Sequence, residues 1–404
     1  MVGNFSLFKK GTMRARALPL ARALARRGHS VCLVLPALDA PHMGGTRTQI
    51  DGVQVLHVAS SSAPGLRYPF SAVRVARAAL ADDPEVVHVF KPVSFAGALG
   101  AWVRLRQGLW LSSARLVVDA DDWEGTGGWV DLERRPFWQR LVVDRQERWG
   151  LRHCDALTVA SRHLQTLAWS AGVPPARVHY VPNGVDAVAP PRDQERRLAA
   201  RGKIGIGGEP VVLLYTRFFE YPLERVVGVF RRISLRRPGT RLLVVGRGFW
   251  REEERLERML AAAGLREAAL FAGWVQAEEL PTYFAAADLA IYPLADTLVN
   301  RTKCPAKLVE LLAAGLPVVA ERVGQSEEYI VHGVSGLLVP PGDDAAFAEA
   351  ALALLDSDET RGAIGRQAAQ RIAAHFLWEH LALRVEVAYG LRPQQEGALG
   401  STLA

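Results

Sequence analysis

The chain has 404 residues, enough for two domains of ordinary size, and its 49% apolar and 23% charged residues exclude disorder as the main state. Lys and Arg number 49 against 42 Asp and Glu, a formal charge of +7, and only six of the basic residues are lysine. The excess lies in the first half, since residues 1–186 carry +8 and residues 187–404 carry −1, which does not fit a uniformly basic nucleic-acid-binding protein.

Short apolar runs alternate with helical segments from one end to the other, which predicts an α/β fold with parallel sheets. Val2-Gly3-Asn4 reads as the end of a first strand and its glycine loop. A helix is expected over 12–27, ending at Gly28, a natural left-handed stop. Strands follow at 30–35, 53–58, 86–90, 115–119, 156–160 and 178–181. Pro136 suits the start of a helix running to about Gly150, and Ser161 suits a cap directly after a strand. Residues 187–210, with Pro190-Pro191, many charges and the glycines of GKIGIGGEP, read as a linker. A second series of strands is expected at 211–216, 241–246, 270–274, 289–294, 317–320 and 336–339. The division is therefore 1–186, a linker 187–209, and a second domain from 210. Two such sheets side by side would put their strand carboxyl ends, and the ligand site, at a central cleft.

Cys32, Cys154 and Cys304 are odd in number and far apart, so neither a disulfide framework nor a zinc site is expected. No run approaches the roughly 18 apolar residues of a membrane-spanning helix, and MVGNFSLFKK lacks the apolar stretch of a signal peptide. The expected place is the cytoplasm, with the inner face of the plasma membrane as a surface to work on.

The strongest local signal is 303–320, KCPAKLVELLAAGLPVVA. Pro305 suits a first turn, and Gly315 with Pro317 a stop, predicting a helix over about 304–314. Lys307 and Glu310 share a face, while Leu308, Val309, Leu311 and Leu312 make most of the remainder apolar, so the helix is expected to be buried. A lysine in a first turn has the wrong sign for the helix dipole, and burying it is costly without an anion nearby. Two readings stand: a self-satisfied Lys307/Glu310 pair, or a helix N-terminus and Lys307 that hold a diphosphate while Glu310 accepts hydrogen bonds from sugar hydroxyls.

A second cluster, DADDWEGTGG at 119–128, places Asp119, Asp121, Asp122 and Glu124 within six residues, where they need cations, donors or raised pKa values. Divalent metal on a D-x-D pair, sugar or acceptor hydroxyls, and a loop stabilised by arginines are the competing readings. His88, at the end of an apolar run, is a core histidine or a cleft residue. Trp123, Trp129 and Trp138 pack, stack on sugars or lie at a membrane interface. Gly246 and Gly248 lack the third glycine of a dinucleotide fingerprint and read as a turn or a close backbone approach.

The pattern K-x-x-E-x-x-A-x-G-x-P-V-V-A from Lys307, with PNGVD (Pro182 to Asp186) before it and GLLVPPGD at 336–343 after it, resembles the family 4 (group 1) retaining glycosyltransferases. The resemblance runs over nearly the whole chain and implies the GT-B fold, two Rossmann-like domains facing a central cleft. It implies an acceptor-binding domain at 1–186, a nucleotide-sugar-binding domain at 210–375, a helix at 376–391 crossing back to the first domain, and a tail at 392–404. Glu310 matches the second glutamate of the family's E-x7-E motif and would bind the ribose; the first falls at Thr302, a departure from the pattern. Lys307 and Arg217, in YTRFFEYP, would face the donor diphosphate, as would the loop holding Gly3 and the helix start Lys10-Gly11-Thr12. Gly273, Trp274 and Val275 would contact the nucleobase. Asp121 takes the position of a family histidine near the transferred sugar, so Asp121 or Asp122 is expected to bind hydroxyls or act as the acceptor's base. The resemblance implies a front-face mechanism with no metal and no cofactor, the nucleotide-sugar being a substrate. The rivals are a non-hydrolysing nucleotide-sugar epimerase and a non-catalytic nucleotide-sugar-binding protein. The basic first half, through Arg14, Arg16, Arg22, Arg26 and Arg27 and then Arg74, Arg77, Arg104 and Arg106, suggests an anionic membrane surface or an acidic lipid-linked or polysaccharide acceptor, against general arginine enrichment.

Overall fold

The computed structural model describes residues 1–7, 11–60, 67–132 and 136–391, which form two compact units. The first comprises Met1–Gly184, Thr302–Cys304 and the segment from Trp378; the second comprises Val185–Arg301 and Pro305–Leu377.

The first unit is built on β1 (Cys32–Pro36), β2 (Arg47–Ile50), β3 (Val53–Val58), β4 (Val86–Phe90), β5 (Arg115–Ala120), β6 (Ala156–Val159) and β7 (Val178–Tyr180). Apart from the exposed edge strand β2 and one face of β3, their apolar runs are buried on both faces, as expected for strands covered by helices. β1, β3 and β2 pair in that order, as do β4, β5, β6 and β7, and Val2 joins the two sets by parallel bridges to Val34 and Val89. The Val2 N–H donates to the His88 carbonyl and the Phe90 N–H to the Val2 carbonyl, both at 2.8 Å, and the Val34 N–H donates to the Met1 carbonyl at 2.9 Å, so the first three residues serve as the central strand. Only β2 runs antiparallel.

The expected helix over 12–27 is a wide π-type turn at Met13–Ala17 followed by the α-helix Leu18–Arg26. Its apolar face, with Leu20 and Leu24, packs against Trp378, Leu381 and Val385 of the helix Trp378–Ala388. Arg27 and His29 donate to Glu386 at 2.6 and 3.0 Å and fix the register of the two helices.

The second unit has β8 (Val211–Tyr215), β9 (Arg241–Val245), β10 (Ala269–Gly273), β11 (Leu289–Tyr292), β12 (Val318–Glu321) and β13 (Leu337–Val339). All are parallel, in the order β10-β9-β8-β11-β12-β13. In chain order that is third, second, first, fourth, fifth, sixth, the arrangement of dinucleotide-binding sheets, whose strand order reverses between β8 and β11. Ligands of such sheets bind at that switch point, beyond the carboxyl ends of the strands.

The stretch read as a linker contains a helix, Gln194–Ile204, capped by the Asp193 carboxylate and closed by Gly205 in the left-handed region at φ 72°. Its anchor is Arg201, buried, which donates to Asp288 at 2.9 Å and to the carbonyls of Ala286, Gly207 and Glu209. A helix held by a saturated arginine has a weak apolar stripe, which is why charge and glycine content suggested a linker. Downstream, GLLVPPGD has a structural task. The Gly342 N–H donates to Glu321 at 2.8 Å, and Asp343 caps the helix Asp344–Asp356.

Candidate active site

At the switch point of the second unit, β8 ends at Tyr215 and the chain turns sharply. The Thr216 hydroxyl oxygen accepts from the Phe218 N–H and the Tyr221 hydroxyl, each at 2.8 Å. Phe218 is held at φ 72°, a conformation that a bulky residue adopts only when its surroundings impose it. Asn300 donates to the Glu220 carbonyl at 2.7 Å and fixes the far side of the turn. Half-buried within it, Arg217 lies over the Phe249 ring at 5.4 Å and has no carboxylate partner among the described residues.

The helix Ala306–Ala313 buries Leu308, Val309, Leu311 and Leu312 and leaves Lys307 and Glu310 half-buried. The Lys307 ammonium stands 5.4 Å from the centre of the Tyr215 ring. Burial pushes the Glu310 carboxyl above its ordinary value against the opposing effects of Lys307 and the Tyr215 hydroxyl. Burial, reinforced by Glu310, also raises the Tyr215 hydroxyl, and the Arg217 charge works the other way. Arg217, Lys307 and Glu310 are thus gathered around one tyrosine that sequence reasoning passed over as a strand residue. The Glu310 Oε2 is buried with no hydrogen-bond partner, so the attraction between Lys307 and Glu310 does not by itself satisfy the site. Two cations and a carboxylate with a spare acceptor suit a ligand that carries both anionic oxygens and hydroxyls.

Gly246 follows β9 at φ 135°, where an added Cβ would stand 1.9 Å from the Thr216 carbonyl oxygen. The close approach it permits is to the protein's own chain. Its N–H donates to the Gly273 carbonyl at 2.8 Å, which ties the end of β9 to that of β10. Gly273 itself is left-handed at φ 66°; Trp274 beyond it is exposed, and Val275 packs on the core. Thr302 belongs to the first unit, where it is buried and its carbonyl accepts from Ser161 at 2.8 Å. There too, Asn183 of PNGVD donates from its side chain to the Cys304 carbonyl at 3.0 Å.

In the first unit the four carboxylates after β5 divide. Asp119 is fully buried and bonded by Arg16 at 2.8 and 2.7 Å in a two-pronged pair, with the Thr158 hydroxyl donating at 2.6 Å. The other three face one ammonium, that of Lys91, at 3.5 Å from Asp121, 3.0 Å from Asp122 and 2.5 Å from Glu124. Burial alone would lower the Lys91 pKa; the three carboxylates more than offset it and hold it well above the ordinary lysine value. Burial, with Asp121 and Glu124 beside it, outweighs Lys91 at Asp122 and raises that carboxyl to about 6. Behind them Glu147 accepts from the Glu124 N–H at 3.0 Å, and burial keeps its pKa well above the ordinary value.

Lys91 is left-handed at φ 59°, held there by its N–H to the Asp119 carbonyl and by Asn4, which donates to the Lys91 carbonyl at 3.2 Å. Sequence reasoning missed this residue. The available signal was a lysine in an arginine-rich chain, directly after a strand. Lys91 supplies the cation to Asp121, Asp122 and Glu124, Arg16 supplies it to Asp119, and Arg148 braces the loop through Asp144, which accepts from the Thr126 N–H at 2.8 Å. Among the described residues, no group of three or more His, Cys, Asp or Glu is placed to hold a metal ion.

Gly3 makes room for Met13, whose sulfur would lie 2.1 Å from an added Cβ, and Gly11 stands at the start of the helical segment. Lys10 lies outside the described residues. His88 is in the middle of β4 and fully buried, 2.9 Å from the Tyr389 hydroxyl and 3.3 Å from that of Thr158. Burial, helped by the N-terminal ammonium and Arg16, holds its pKa well below the ordinary value, so it is a neutral core residue. Trp123 is buried and donates to the Thr126 carbonyl at 2.9 Å, whereas Trp138 is exposed.

Residues 209–357 match the family described as "Glycosyl transferases group 1", and residues 11–184 match "Glycosyl transferase 4-like domain". The chain belongs to the group 1 glycosyltransferases. Among curated relatives, a GDP-mannose-dependent alpha-(1-6)-phosphatidylinositol monomannoside mannosyltransferase of Mycolicibacterium smegmatis is 31% identical, over 56% of this chain and 60% of that protein. A D-inositol 3-phosphate glycosyltransferase of Xylanimonas cellulosilytica is 27% identical, over 92% of this chain and 89% of that protein. The fold is that of the GT-B enzymes. A sucrose-phosphate synthase from Thermosynechococcus elongatus superposes with a TM-score of 0.73 at 19% identity, covering 96% of this chain and 98% of its own. Anabaena HepE in complex with UDP-glucose gives 0.71 at 17%, covering 97% and 99%.

Proposed function

We propose that this group 1 chain transfers a sugar from a nucleotide-sugar to a hydroxyl group of an acceptor, with retention of configuration and without a metal. The observation that carries the proposal is the grouping of Arg217, Lys307 and Glu310 around Tyr215 at the switch point of a Rossmann sheet, with one carboxylate oxygen still unpaired. Arg217 and Lys307 would meet the charge that grows on the leaving diphosphate, and Glu310 would accept from the ribose hydroxyls. Gly273 to Val275, at the end of β10, would border the base.

Asp121 and Asp122 would orient the reacting hydroxyls, with Asp122 the candidate proton acceptor because its pKa of about 6 leaves it ionised but basic near neutrality. UDP-glucose bound to one structural neighbour and GDP-mannose named for one relative support the donor class. The names of the mycobacterial and inositol-phosphate relatives support a polar headgroup acceptor, lipid-linked or soluble, taken at the cytoplasmic face of a membrane.

A second reading, a nucleotide-sugar-binding protein without turnover, draws on Thr302 standing where the family carries a glutamate and Asp121 where it carries a histidine. Incubation with UDP-, GDP- and ADP-sugars, with release of nucleoside diphosphate as the readout, separates the two. The transferase reading predicts slow release with one donor even without acceptor, lost in Lys307→Ala. Binding without any release, under every acceptor tried, would leave only the second reading.

A further inference from the structure

The arginines of the first helical segment do not form a free basic face: Arg16 is buried on Asp119, Arg22 pairs with Asp51, and Arg27 pairs with Glu386. The unspent charge lies elsewhere in the first unit, in a layer of three adjacent helices, Arg67–Ala79, Ser94–Gly108 and Phe137–Arg152. The outward residues of the second include Trp102, Leu105 and Leu109, an apolar stripe at helical spacing on the side away from the core. It continues into Trp110, 94% exposed, and Leu111. The third helix presents Phe137 at 76% and Trp138 at 64% exposure, followed by Leu141 and Val142; the first presents Tyr68 and Phe70. Exposed apolar side chains gathered on one layer of neighbouring helices mark an interaction site.

Charge identifies the partner. The first two helices contain no Asp or Glu at all; on the third, Asp144 is paired with Arg148 and Glu147 is buried. Arg77 and Arg145 are exposed with no carboxylate partner among the described residues. A second copy of the chain docking through the same face would bring two arginine-rich, acid-free surfaces together, which like-charge repulsion opposes. An anionic bilayer offers phosphates to the arginines and an interfacial layer to the tryptophans, whose rings favour that boundary.

We propose that this three-helix face seats the first unit on an anionic lipid surface. The inference deepens the membrane part of the function proposed above and does not depend on the donor site. Aromatic side chains at Trp110, Phe137 and Trp138 enter the headgroup layer while Arg77 and Arg145 engage lipid phosphates.

The test is co-sedimentation of the full chain with vesicles of phosphatidylcholine alone and with vesicles of which about a third is phosphatidylglycerol. Wild-type protein is expected to bind the anionic vesicles on the order of tenfold more tightly, with the preference falling as salt rises. Trp110→Ser/Phe137→Ser/Trp138→Ser should weaken binding on the order of tenfold or more. Arg77→Gln/Arg145→Gln should lose the anionic preference, and Trp250→Ser, in the second unit, should bind as wild type. Circular dichroism and nucleotide titration of each variant show that fold and donor site are retained, so that a failed membrane face and a failed donor site are told apart. Equal binding to both vesicle types, or wild-type binding by the triple variant, would overturn the proposal. So would a concentration-dependent dimer that the triple variant abolishes, which would give the face to a second copy.

Discussion

The Tyr215 hydroxyl at the end of β8 faces the Glu310 carboxylate on the helix Ala306–Ala313, and each acts on the other's proton affinity. The hydroxyl lowers the proton affinity of the carboxylate, in opposition to burial. Tyr215→Phe removes the donor, so the Glu310 pKa rises further and a larger share of the group is protonated under mildly acid conditions. Nucleotide affinity in the variant should therefore fall more at pH 6 than at pH 8, read by titration calorimetry at both values. A pH-independent effect would mean that Tyr215 acts by packing alone.

Among the described residues Arg217 has no carboxylate partner, so its charge is available to an anion. Arg217→Ala should weaken nucleoside diphosphate binding by about 1.5–3 kcal/mol, the range for a hydrogen bond to a charged group, and leave the binding of the bare nucleoside unchanged. Competition titrations with both ligands check this.

The Asp122 carboxyl is raised from 3.8 to about 6, so the native state holds this proton more tightly than the unfolded chain does. By linkage, stability is lost as pH rises between about 4 and about 6, a loss of about 3 kcal/mol for this group. Asp122→Asn cannot ionise. The difference in melting temperature, variant minus wild type, should become more positive from pH 5 to pH 7.5, followed by differential scanning calorimetry. If Asp122 is also the acceptor's base, wild-type turnover should rise through an apparent pKa near 6, and the variant should lack that limb.

Arg16 and Asp119 form a fully buried two-pronged pair, with Arg16 also donating to the Val181 carbonyl at 2.8 Å and to Asn183 at 3.2 Å. Arg16→Met strands the carboxylate and should cost about 3–5 kcal/mol in urea unfolding. Arg16→Met with Asp119→Leu should cost less than the sum of the single changes.

The alternation of strands and helices was legible because parallel strands covered on both faces are continuous apolar runs, and their ends fell within a residue or two of those in the structure. Ser161 and the helix around Lys307 and Glu310 were legible from cap and stop residues. Less visible were features that depend on partners distant in the chain. Lys91 meets its three carboxylates some 30 residues away, Arg16 meets Asp119 across 103 residues, and the helix Gln194–Ile204 is anchored by Arg201 to Asp288 across 87. Each is a charged group made compatible with burial by long-range pairing, which leaves no periodic trace in the sequence. Tyr215 was hidden for a simpler reason: an aromatic residue in an apolar strand looks like core, and half of this one is.

Titration of UDP, GDP and ADP into wild type, Lys307→Ala and Glu310→Ala tests the donor site most directly. One of the three should bind wild type well, with affinity falling on the order of tenfold or more in each variant while the fold is retained. Wild-type affinity in both variants would contradict the assignment of Arg217, Lys307 and Glu310 as the place where the nucleotide is held.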